Sequence, residues 1–256
     1  MSNKILFPLL FIVGCTSGYP EDNSILECTR HVEVQLQDNI IYNCPKDMQW
    51  VHGLYCTKVE QNCKSYLDPE GSKFTRRCKE FEPTKCVGNK VPMSFCMDTN
   101  EYSSDGILPK SDMSWTEAKA ICQSSGKRLC SEPEWTFACE GEDSYPYSTG
   151  LVRPSDKCNM DIEKNTVCGS ELCDHRNTID DNANCLSPFN IHNMSGNVDE
   201  WIEVPLYHHS KANITMRSSL KGGHWLPVRN RCRPRTDDHD ESYHQVSIGF
   251  RCCKDL

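Results

Sequence analysis

The groups in this sequence with the most specific chemistry are its eighteen cysteines and the histidines of its last third. Thiolates are nucleophiles and soft metal ligands, and two of them oxidise to a crosslink. The cysteines run through the whole chain, and no pair has the C-x-x-C spacing of a zinc knuckle. Cys168 and Cys173, with four residues between them, are a poor substitute. Most cysteines are therefore expected to be disulfides, as in an exported chain facing an oxidising compartment. A single thiol beside a base would still be a nucleophile, and Cys232 is the candidate for that role. His208, His209, His224, His239 and His244 share the region with Asp237, Asp238, Asp240 and Glu241, enough for a 2-His-1-carboxylate iron site. No fixed spacing selects a set, and adjacent His239 and Asp240 do not easily meet on one ion. A solvated polar loop is the plainer expectation.

The chain opens with Lys4 and an apolar run, Ile5–Val13, interrupted only by Pro8. The run is too short to span a bilayer as a helix and is the size of a signal-peptide core. It closes on Ile12, Val13, Gly14 and Cys15, which resembles the bacterial lipoprotein box, in which the cysteine is acylated and becomes the new N-terminus. Residues 1–14 are thus expected to be a lipoprotein signal peptide, the alternative being an ordinary secretory signal that contains a cysteine. Residues 15–23, with Ser, Gly, Pro and Asp after Cys15, read as a tether. Thr16 favours the outer membrane, so the chain is expected to be exported and anchored in lipid through Cys15. A net charge of −8 without a Lys/Arg cluster argues against nucleic acid as a partner. No later segment is apolar enough to span a membrane. With Cys15 lipidated, seventeen cysteines remain, so at least one is free or pairs between chains.

The elements that must position these groups change character along the chain. Residues 24–90 carry six cysteines (Cys28, Cys44, Cys56, Cys63, Cys78, Cys86) among short alternating runs such as 31–37 and 39–42. They read as a small Cys-rich extension held by crosslinks more than by a core. From Val91 the texture differs. Phe95–Asp98, with Glu101 and Tyr102, reads as a strand. Ser114 and Glu117 form a capping box, followed by Ala118, Ile121 and Cys122 at helical spacing and a stop at Gly126. Ser131 and Glu134 form a second box, with Pro133 in the first turn of a helix that carries Trp135, Ala138 and Cys139 on one face. Beyond Glu140 the chain is rich in Gly, Pro, Asn, Asp and Cys. Connections that long need disulfides or bound ions to hold them.

Five separated strings resemble one family in order. Phe95–Ser103 (FCMDTNEYS) looks like its entry strand, and Met113–Trp135 (MSWTEAKAICQSSGKRLCSEPEW) is similar to its two-helix signature. Asn193–Trp201 (NMSGNVDEW), Gly222–Trp225 (GGHW) and Ile248–Cys252 (IGFRC) follow. By these motifs residues 91–256 are identified as a member of the formylglycine-generating enzymes, or sulfatase-modifying factors. The resemblance implies an α+β, irregular and disulfide-rich fold, the formylglycine-generating-enzyme variant of the C-type-lectin-like type, preceded here by the Cys-rich extension. It also implies two disulfides, Cys122 with Cys252 and Cys139 with Cys232. Each would close a loop of about 90 to 130 residues, a restriction of the unfolded chain of about 4–5 kcal/mol in the entropic account. It implies calcium at Asn193, Gly196, Val198 and Glu200, and less directly a second set at Asn159, Met160, Asp174 and Arg176. Hard cations take such oxygens from compact loops.

The family's enzymes oxidise a cysteine of a sulfatase with oxygen and a copper(I) ion held by two thiolates five residues apart. Counted from Gly223, those positions are Pro227 and Cys232. Counted back from Gly249, Cys232 falls within one residue of the half-cystine that partners Cys139, so the pair is incomplete in both registers. Asp199 stands where the enzymes carry a tryptophan, and His224 replaces a serine. Copper and iron are therefore not expected. The reading is a calcium- and disulfide-braced binding member that takes a peptide, protein or glycan ligand; the alternative is a metal-dependent oxidoreductase acting on a protein cysteine.

Overall fold

In a computed structural model of the chain, residues 44–72, 76–179, 181–209 and 213–256 are described. The expected signal peptide, Cys15, the tether, Cys28 and the runs at 31–37 and 39–42 lie outside the described residues. The first part of the chain gives β1 (Met48–Cys56), β2 (Val59–Glu60), β3 (Cys63–Tyr66), β4 (Cys78–Phe81), β5 (Lys85–Cys86) and β6 (Lys90–Asp98). Next come α1 (Trp115–Ser124), β7 (Arg128–Leu129) and α2 (Glu132–Glu140). The remainder holds β8 (Val167–Cys168), β9 (Glu171–Leu172), β10 (Asp199–His209), β11 (Ile214–Lys221), β12 (Arg235–Thr236), β13 (Ile248–Phe250) and β14 (Cys252–Lys254).

Both helices start where their caps dictate. Glu117 Oε2 accepts from the Ser114 N–H and hydroxyl, and Glu134 Oε2 does the same for Ser131. The first strand of the 91–256 region ends at Asp98, and Glu101 lies in the bend that follows rather than in a strand.

Strands pair as β1-β6-β14-β7 in one four-stranded sheet and β12-β11-β10-β13 in a second, with β10 and β13 parallel, and β2-β5, β3-β4 and β8-β9 form two-stranded ribbons. β1 and β6 pair along their full length, from Met48 opposite Asp98 to Cys56 opposite Lys90. Residues 48–56 thus contribute a strand to the same sheet as β6, at the start of the 91–256 region. Val51 is fully buried on β1, which is why crosslinks alone do not account for that segment. Its side chain joins Phe95, Met97, Trp135, Phe137, Ile191, Met194 and Ile202 in one core cluster. A second cluster sets Trp115, Ala118 and Cys122 of α1 against Trp201, Leu220, Ile248 and Phe250. The indoles are tethered as well as buried: Trp115 Nε1 donates to the Ile202 carbonyl at 3.0 Å and Trp201 Nε1 to that of Met113 at 2.7 Å.

Cys122 pairs with Cys252 and Cys139 with Cys232, the two bonds the resemblance implies. Six more join Cys44–Cys96, Cys56–Cys86, Cys63–Cys78, Cys130–Cys253, Cys158–Cys185 and Cys168–Cys173. The last two clamp the long irregular run between α2 and β10, whose only strands among the described residues are those of the β8–β9 ribbon.

Candidate functional site

Two loops meet beside β10. The first, 193–198, is built on left-handed turns at Asn193 (φ 60°), Gly196 (φ 105°) and Asn197 (φ 62°), conformations that Asn and Gly adopt most cheaply. A Cβ on Gly196 would lie 2.3 Å from the Asn159 carbonyl oxygen, so that position has no room for a side chain. The Asn197 N–H donates to that same oxygen at 2.8 Å, and Asn159 Nδ2 donates back to Asn197 Oδ1 at 3.0 Å. Beneath the loop, Asn193 Nδ2 and Asn197 Nδ2 donate to Glu101 at 3.0 and 2.9 Å. Burial pushes the Glu101 carboxyl up to about 7, with the charge of Glu200 acting in the same direction and Arg251 opposing. Glu200 accepts from Arg251 Nε and Nη2 and from Trp135 Nε1, each at 2.7 Å.

This geometry tests the calcium sets. In the first, Asn193 Oδ1 is buried without a hydrogen-bond partner, as a cation ligand would be. Glu200, its only formal charge, is already neutralised by Arg251. In the second, both Asp174 oxygens are taken by Arg176, and Asn159 spends its amide hydrogens on Asn197 and the His175 carbonyl. Neither set is a finished cage: a calcium ion would sit beside a guanidinium in both. The first alone leaves a buried oxygen, Asn193 Oδ1, open.

The second loop runs from Gly222 to Cys232. Gly222 (φ 90°) packs on Trp135, and a Cβ on Gly223 (φ 71°) would meet Asn230 Nδ2 at 2.8 Å, so the double glycine lets the loop fold back tightly. Asp199 accepts from Arg229 Nη2 at 2.8 Å and from the Gly223 N–H at 3.3 Å. His224 lies over this pair, its imidazole held below its usual range by burial, with Asp199 opposing. Asp199, His224, Arg229, Thr236, His239 and Gln245 line a cavity of about 280 Å³. Its groups can offer charge and hydrogen bonds to a small polar molecule.

Cys232 corrects the candidate nucleophile. It is fully buried and bonded to Cys139 on α2, with Arg233 beside it clamped on Glu140 and on the Cys56 carbonyl. The bond selects the register in which Cys232 is structural, and Pro227 has no thiol to offer. All sixteen cysteines among the described residues are in disulfides, leaving Cys15 and Cys28 of the sequence. Of the histidines, His224 and His239 line the same cavity as Asp199, but the others lie elsewhere. His208 and His209 lie on β10, His239 stacks on Tyr243 at 3.9 Å, and His244 pairs with Asp112 at 2.8 Å. Among the described residues no three of His, Cys, Asp and Glu stand close enough to share a metal ion. Sequence reasoning missed the roles of Glu101 and the Arg229 clamp; Glu101 sits within the string Phe95–Ser103, whereas Arg229 lies outside the five matched strings and gives no signal until its pairing with Asp199 is known.

The chain resembles several known proteins. It is 28% identical over 165 residues to the formylglycine-generating enzyme of Mus musculus, and 26% identical over 166 residues to that of Bos taurus. Each match covers 57% of this chain and only 44% of the relative, so the chain spans less than half the length of either. Among solved structures, CarF aligns with a TM-score of 0.54 at 15% identity, covering 83% of this chain and 99% of CarF. Treponema denticola variable protein 1 aligns at 0.50 and 11% identity, covering 80% and 99%. These likenesses carry the fold. The model of the sulfatase-modifying factor enzyme 1-like domain matches residues 39–256, a span that takes in every residue the structure describes, and the chain belongs to that family.

Proposed function

We propose that this chain is an exported, lipid-anchored binding protein that keeps the sulfatase-modifying factor scaffold and holds a ligand instead of oxidising a cysteine. The observation that carries the reading is the Cys139–Cys232 bond. It turns the single cysteine of the reactive loop into a structural crosslink, and a copper(I) site needs two thiolates. Export and lipidation rest on the pattern that ends at Cys15, and eight disulfides suit an oxidising compartment. Calcium, if held, belongs at Asn193, Gly196, Val198 and Glu200, where it would brace the loop and take part in no reaction.

The test incubates the purified chain with oxygen, copper(I) and a cysteine peptide of sulfatase type, and reads the peptide by mass spectrometry. Unchanged cysteine is expected; conversion to formylglycine sinks the binding reading. In parallel, a labelled fatty acid should appear on the wild-type chain and not on the Cys15→Ser variant. Label retained by that variant would overturn the anchor.

A further inference from the structure

A second cavity, of about 760 Å³, opens between the β3–β4 hairpin and the 227–234 run, within the range of small-molecule sites. Five arginines line it: Arg76, Arg77, Arg153, Arg229 and Arg231. Three of them are answered by carboxylates. Arg77 pairs with Asp68 at 2.7 Å, Arg153 with Asp161 at 2.7 Å, and Arg229 with Asp199 at 2.8 Å. Arg76 gives its Nε to the Asp68 carbonyl and stacks on the half-exposed Tyr66 ring at 3.9 Å, without a carboxylate of its own. Arg231 has less. Its guanidinium lies 5.6 Å from the Phe81 ring, and among the described residues no carboxylate or other acceptor meets its five N–H groups.

A partly buried guanidinium without a counterion is costly to keep, and its planar fork matches an oxyanion. Burial also pulls Arg231 below its usual range, the direction an uncompensated cation takes. Phe81 and Tyr147, almost wholly buried, supply an apolar floor beside it. The geometry points to an oxyanion site here: Arg231, with Arg76 at the rim, holds the carboxylate, sulfate or phosphate of a small ligand whose body lies over the Phe81 floor. This deepens the binding reading by naming the ligand's charge. The β3–β4 hairpin, which precedes the strings that carry the family resemblance, supplies Tyr66, Arg76, Arg77 and Phe81 to the walls.

The full mature chain is titrated calorimetrically with inorganic sulfate, inorganic phosphate and acetate in separate arms, at constant low ionic strength. At least one anion binds, and the preferred arm identifies the group. Arg231→Gln weakens that binding by about tenfold or more, the loss of a charge-assisted fork. Arg76→Gln weakens it by a smaller factor, and remains informative should Arg231→Gln fold poorly. Arg235→Gln, outside the cavity and paired with Glu132 and Asp237, leaves it within twofold. No binding in any arm, or wild-type affinity in both Arg76→Gln and Arg231→Gln, overturns the site. Because the cysteine-peptide assay has a separate readout, conversion there with anion binding intact would fault the binding reading alone.

Discussion

Replacing Glu101 with glutamine removes a buried proton switch from beneath the 193–198 loop. Glu101 is 2% exposed, accepts from Asn193 and Asn197, and has its carboxyl pushed up to about 7 from an ordinary 4.5, chiefly by burial. Between those two values the folded chain keeps a proton on Glu101 that the unfolded chain has released. Stability from this group is therefore full below about pH 4.5 and is lost as pH rises towards 7, by about 1.4 kcal/mol per unit and about 3 kcal/mol in total. Glutamine does not titrate, so the variant lacks that slope. Its amide is accommodated if the Asn193 side chain turns over and presents Oδ1, which has no partner now. Urea unfolding of both proteins at pH 4.5, 5.5, 6.5 and 7.5, disulfides intact, gives the difference directly. The stability of Glu101→Gln relative to wild type should climb by about 3 kcal/mol across the series. A difference flat to within about 0.5 kcal/mol, the ordinary scale of neutral surface changes, would refute the reasoning.

Other changes have equally definite outcomes. Lys221 is fully buried, donates to Thr136 and the Arg233 carbonyl, and is pulled down to about 7 by burial. Lysine charged in the unfolded chain and neutral in the fold makes stability rise with pH above 7, and Lys221→Met should abolish that rise in unfolding measured from pH 7 to 9.5. Arg251→Met leaves the buried Glu200 carboxylate without its cation and should cost about 3–5 kcal/mol by urea unfolding, whereas the double variant with Glu200→Met should recover much of it. Paired Cys139→Ser and Cys232→Ser should cost about 4–5 kcal/mol, read the same way, for a bond between residues 93 apart in sequence. Calcium at millimolar concentration should raise the thermal midpoint if the Asn193 set closes on it, and Asn193→Ala should remove the increment; no shift with the wild type rules the set out.

The parts of the fold legible in the sequence were those with local chemistry. Capping boxes at Ser114 and Ser131 signal helices because their hydrogen bonds span only three residues. β1 was not legible: its run, MQWVHGLYC, interrupts alternation with Gly53 and His52, and only pairing with β6 makes it a strand. The Gly222–Cys232 loop was half legible, since sequence offered two registers for Cys232 and its bond to Cys139 chose between them. The arginine-lined cavity was invisible, because Arg76, Arg153 and Arg231 come from three distant segments and nothing local marks their meeting.

β14 sits in the middle of its sheet, between β6 and β7, and its two cysteines reach back 130 and 123 residues to Cys122 and Cys130. If the chain is exported as proposed, emerging vectorially into an oxidising compartment, this sets an order of events. The short crosslinks, such as Cys63–Cys78 and Cys168–Cys173, can close as soon as their hairpins appear. Cys122 and Cys130 must wait with open thiols until residues past 250 have arrived, and every cysteine exported in the interval competes for them. Maturation of this domain is thus a problem of timing and error correction, solved at the speed of disulfide exchange, seconds to hours, rather than of chain collapse. The yield of correctly bonded protein should therefore depend on an isomerase more than on any single packing contact.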